Sequence, residues 1–113
     1  MASLQDEITL LYSEPGVGSS NLNTFGEENI RNLLHMYRSL GDPELADMLE
    51  LVRVYSQSGD LNICYISVAV LHALGRQEDV TAAYAWAETQ DDPKMFTQHF
   101  DIGVSLAEYL DWS

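Results

Sequence analysis

Four chain-breaking signals cut most of this sequence into pieces one helix long. Gly41-Asp42-Pro43, Ser58-Gly59-Asp60, Gly75 and Asp91-Asp92-Pro93 recur about 16–18 residues apart, the length of a helix and a turn. Glycine ends a helix because it enters the left-handed region at little cost. Aspartate opens the next, and a following proline fills a first-turn position whose N–H has no partner in any case. A chain punctuated this often has no room for one long coiled coil. It is expected to be all-α, as stacked antiparallel helical hairpins of about six helices joined by short turns.

Residues 3–12 predict a short first helix, with Ser3 as N-cap, Asp6 and Glu7 in its first turn, and Ile8, Leu11 and Tyr12 as its apolar stripe. Residues 14–23 are rich in Gly, Ser and Asn and read as a flexible loop. A single helical domain over 1–113 is therefore expected, divided into this helix and loop (1–23) and a hairpin stack (24–112). Thr24 and Glu27 match a capping box, and Ile30, Leu33, Leu34, Tyr37 and Leu40 carry the second helix to Gly41. Asp42 is expected to cap the third, whose apolar face is Leu45, Met48, Leu49, Val52 and Tyr55. Residues 61–74 are apolar almost all round. Their β-branched members would also suit a buried strand, but the length, the Asp60 cap and the Gly75 stop favour a covered central helix. Residues 80–90 predict an alanine-rich fifth helix around Tyr84 and Trp86. Met95, Phe96, Phe100, Leu106 and Leu110 mark the sixth.

Eighteen Asp and Glu against five Lys and Arg leave a formal net charge of −13. That charge disfavours direct binding to nucleic acid or to an anionic membrane. No apolar run approaches the ~20 residues that span a bilayer, and no basic-then-apolar signal opens the chain. The one cysteine, Cys64, cannot close an internal disulfide, so the expected location is cytoplasmic.

The residues of reactive type are scattered. Gly16-Val-Gly-Ser-Ser20 has neither the lysine nor the preceding strand of a phosphate loop and reads as a plain turn. His35, His72 and His99 fall on separate helices. Cys64 lies two turns from His72, too far to share a metal, and its neighbours Ile63, Tyr65 and Ile66 predict burial. No enzyme activity, cofactor or metal is expected. Half of the carboxylates stand near helix starts, where capping and the helix dipole account for them. Glu44 is one of these, but with Asp47 and Glu50, which are not, it forms an acidic ridge at i, i+3, i+6, either a solvated face or a docking stripe for a basic partner. Met36, Tyr37, Met48, Tyr55 and Phe100 are of the adaptable or aromatic kind that lines helix-binding grooves, though core positions would use them equally. Near the end of the chain, Tyr109-Leu-Asp-Trp112 either packs back or meets a partner.

The hairpin period of about 34 residues resembles a tetratricopeptide repeat, and Ala83-Tyr-Ala-Trp-Ala87 is similar to Sel1-type repeats. The sequence also resembles the small cytoplasmic chaperones of type III secretion needle subunits. The likeness lies in Gly26-Glu-Glu-Asn-Ile-Arg-Asn-Leu-Leu, Leu40-Gly-Asp-Pro-Glu-Leu-Ala46, Ser58-Gly-Asp60, Ala73-Leu-Gly75 and Asp92-Pro93. It implies a protein that keeps a self-assembling subunit monomeric by covering its amphipathic carboxy-terminal helix. The expected function is a non-enzymatic adaptor or chaperone that sequesters a partner's amphipathic helix in an apolar groove with acidic rims. The alternative is a stoichiometric acidic inhibitor, of immunity or phage anti-defence type, covering a basic nucleic-acid-binding or catalytic surface.

Overall fold

A computed structural model describes residues 3–110. The elements are α1 (Leu4–Ser13), α2 (Glu27–Ser39), α3 (Glu44–Tyr55), α4 (Leu61–Ala73), α5 (Gln77–Ala87) and α6 (Pro93–Leu110). The described residues contain no β-strand, so the apolar run of 61–74 is a helix, as its caps require. Asp60 accepts a bond from the Ile63 N–H at 3.2 Å, and Gly75 stops the helix at φ +76°.

Each helix packs on its sequence neighbour, and α1 on α3, α2 on α4 and α4 on α6 pack two apart, a pattern consistent with stacked hairpins. Additional contacts of α1 with α4 and of α2 with α6 close the stack around α4, which touches all five other helices. Residues 64–71 are consequently buried without a break. Ile66, Val68, Val70 and Leu71 have no exposed surface, and each burial is worth about 1.5–3 kcal/mol. The most extensive contact is between α4 and α6. It is close because Gly103 faces the Tyr65 carbonyl, where an added Cβ would lie 2.8 Å from the oxygen.

Three local expectations change. Gly26, not Thr24, is the N-cap of α2, at φ +83°. The acceptor for the Glu28 N–H is Asn23 Oδ1, at 2.9 Å. Thr24 is turned away, its hydroxyl donating at 3.5 and 3.4 Å to the carbonyls of Ser20 and Asn21. Pro43 occupies the N-cap of α3, and Asp42 makes no capping bond to that helix. The N–H groups of Leu45 and Asp47 are already taken by the carbonyls of Gly41 and Pro43 at 3.0 and 3.2 Å. The loop before α2, expected to be flexible, is instead tied down from inside. Asn23 and Asn29 are both fully buried. Asn23 donates to Gly16 O and to Asn29 Oδ1, each at 3.0 Å, and Asn29 donates to the carbonyls of Leu11 and Pro15, each at 2.9 Å. Two amides thus replace the backbone ladder that a loop lacks.

Candidate functional site

The eight residues expected to contact a partner do not share one groove. Met48 and Phe100 have no exposed surface, which corrects their assignment to a groove wall. Met48 is core on α3, and Phe100 meets Tyr84 of α5 edge-on, with ring centroids 5.3 Å apart. Tyr37 and Tyr55 are half-buried. Tyr55 stands edge-on to Tyr12 at 5.2 Å, with its hydroxyl 3.4 Å from that of Thr9. Glu44, Asp47 and Glu50 are exposed along α3, as the ridge requires.

Three of the eight, Met36, Asp47 and Glu50, line hollows on either flank of α1. On the α2 side, Met36 joins Leu10 and Leu11 in an open hollow of about 620 Å³, edged by Glu7, His35 and Ser39. On the α3 side, Asp47 and Glu50 border a hollow of about 420 Å³ floored by Leu4 and Leu51, with Ser3 and Gln5 at its end. The capping box that starts α1 fixes this end of the helix: Asp6 N–H donates to the Ser3 hydroxyl at 3.1 Å and Ser3 N–H to Asp6 Oδ2 at 3.3 Å. A third hollow, of about 450 Å³, lies between Phe25 and the outer side of α6, where Ile102 and Leu106 are flanked by Asp101 and Ser105.

Leu10, Leu11, Phe25, Ile102 and Leu106 were not among the expected contact residues. A signal for Leu10 was present, since it falls outside the Ile8 and Tyr12 face, and it is 51% exposed. Phe25 had none. Its place beside α6 follows from a bond across the fold, in which Tyr65 Oη donates to the Phe25 carbonyl at 2.7 Å. The expectation for Trp112 lies outside the described residues.

Several titratable groups are engaged within the fold. Arg53 Nε and Arg76 Nε each donate to Asp79 at 3.1 Å, and Arg53 also reaches Glu50 at 3.3 Å. His72 lies 3.2 Å from Glu108 and 3.0 Å from Gln77. The Cys64 thiol is buried and donates to the Leu61 carbonyl, and burial, with Asp60 nearby, pushes its pKa up to about 12. A thiol so protonated is a poor nucleophile at neutral pH. Among the described residues no three His, Cys, Asp or Glu side chains are grouped to hold a metal ion, and no helix is long and apolar enough to cross a membrane. What the arrangement offers is surface: apolar hollows beside exposed carboxylates. Comparison of the chain with protein-family models, curated proteins and solved structures returns no match.

Proposed function

We propose that this protein is a non-enzymatic adaptor that captures an amphipathic helix of another protein along α1. One apolar row of the partner helix enters the α1–α2 hollow, and basic side chains meet Asp47 and Glu50 on the opposite flank. The observation that carries this is the exposed Leu10 beside Leu11 and Met36, an apolar hollow edged by Glu7, with Asp47 and Glu50 at the hollow on the other flank of α1. Apolar anchors spaced at i, i+3, i+4 fit such a surface, and the acidic border speeds encounter with a basic partner and repels acidic ones. Covering the assembly helix of a self-associating subunit, the role implied by the needle-chaperone likeness, is one form of this activity.

A second reading is supported by the exposed ridge of Glu44, Asp47 and Glu50, of which, among the described residues, only Glu50 is met by a cation of its own chain, Arg53. Arg53 and Arg76 are already committed to carboxylates of their own chain, so the remaining acidic excess suits an inhibitor that covers a basic surface. Co-purification from the source cell distinguishes the two. With an adaptor, Leu10→Glu abolishes partner recovery, while charge reversal of Glu44, Asp47 and Glu50 weakens it and moderate salt leaves it in place. With an inhibitor, the charge reversal and moderate salt each abolish recovery, and Leu10→Glu does not. Recovery unaffected by either set overturns both.

A further inference from the structure

We infer that α6 carries a second docking face, built for a helix that has basic side chains beside an apolar seam. Met95, His99, Ile102, Leu106 and Tyr109 follow one another at steps of four, three, four and three residues. That 3.5-residue average is the seam spacing of two helices wound together. The same helix turns Phe96, Phe100, Gly103 and Ala107 to the core, and Leu106 packs against that core from the inner edge of the stripe. Three of its five residues are open, Met95 at 40%, Ile102 at 38% and Tyr109 at 74%, while His99 and Leu106 are half-buried; Phe25, 49% exposed, extends it sideways into the hollow beside Ile102 and Leu106. From Met95 to Tyr109 it runs for about 21 Å at 1.5 Å per residue, long enough for four turns of a partner.

Charge selects the occupant. Asp101 edges the hollow and accepts from the Tyr84 hydroxyl at 2.7 Å, and Glu27 sits beside Phe25, whose N–H its carboxylate accepts; Glu108 is already paired with His72. A second copy would bring another −13 of charge to a face already bordered by acids, and like charges oppose that pairing. A lysine- or arginine-flanked helix meets the apolar stripe and the carboxylates together. This face and the α1 hollows lie on different helices, each packed on α4.

The test uses Leu10→Glu as background, so that only the α6 face is read. The probe is a synthetic 18-residue helix with Leu at the seam positions and Lys beside them, titrated calorimetrically into the full-length protein. Glu-flanked and scrambled versions serve as controls. The Lys-flanked peptide is expected to bind, to lose at least tenfold in Kd when Ile102→Glu is added, and to weaken several-fold but persist at 500 mM salt. The controls are expected not to bind. If Ile102→Glu lowers the melting temperature, Tyr109→Ser replaces it, since that ring is mostly in solvent. Equal binding with and without the α6 substitution overturns the assignment, as does equal binding of the controls. A wild-type dimer in sedimentation that Ile102→Glu makes monomeric also overturns it, by showing that the occupant is a second copy. Loss of binding in the Leu10→Glu background alone removes the α6 face and leaves the α1 proposal standing.

Discussion

Gly103→Ala places a methyl group where the α4–α6 crossing has no space for one. The new Cβ would lie 2.8 Å from the Tyr65 carbonyl oxygen and 3.4 Å from Ala69 Cβ. Carbon–oxygen contacts settle at about 3.3–3.6 Å even when they are attractive, so α6 must withdraw by about half an ångström. The obstacle is backbone in the middle of a buried helix and cannot rotate away, unlike a side chain. Overpacking of this kind costs about 1–3 kcal/mol, and replacing glycine within a helix returns about 0.5–1 kcal/mol. The net expectation is a loss of about 1–2 kcal/mol, which lowers the melting temperature of a chain this size by about 4–10 °C. Urea and thermal unfolding followed by circular dichroism measure it. Gly59→Ala is the control, since nothing lies within 4 Å of its Cβ and its φ is not positive, and its stability should stay within about 0.5 kcal/mol of wild type. Adding Ala69→Gly to Gly103→Ala should give no rescue, because the tighter contact is with the carbonyl. A Gly103→Ala protein that melts at or above wild type refutes the close seating of α6 on α4.

Asn29→Ala leaves the Leu11 carbonyl without its partner and takes one bond each from the Pro15 carbonyl and the Asn23 amide, which keep weaker or other partners; a loss of about 1–3 kcal/mol is expected, with faster hydrogen exchange through residues 14–26. Gly26→Ala forces a side chain to φ +83° and should cost about 1–2 kcal/mol, read as a lower urea midpoint. Stability should also fall at alkaline pH. Burial holds Cys64 at about 12 against an ordinary 9.0 and Tyr65 at about 12 against 10.0, and raises Tyr12 and Tyr84 too. The unfolded chain therefore releases these protons first. Their contribution is intact below pH 9 and is lost as pH rises from there toward 12, at about 1.4 kcal/mol per pH unit for each group titrating. Urea midpoints between pH 7 and 11 should show the decline, and Cys64→Ala should delay its onset toward pH 10.

Cooperative signals within one turn of chain were readable before any fold existed. Asp60, Gly75 and the Ser3–Asp6 pair act on backbone groups three or four residues away, so the sequence alone determined α1, the ends of α4, and the all-helical class. The continuous apolar run of 61–74 likewise marked α4 as the helix the others surround, because no face of it can be left in water. Asn23 shows where such reading ends. Its amide answers to Asn29, Gly16 and Glu28 at once, and only the closed fold brings these together, which is why Thr24 lost the cap and the loop is bonded to the fold. The same holds for the surfaces. Periodicity placed Met48 and Phe100 on apolar helix faces, but whether such a face meets another helix or water depends on which helices pack against it. Tertiary structure buried those two and left Leu10, Phe25 and Ile102 open, because α4 is a cylinder of limited circumference and five helices cover it by giving up part of their own apolar faces to solvent.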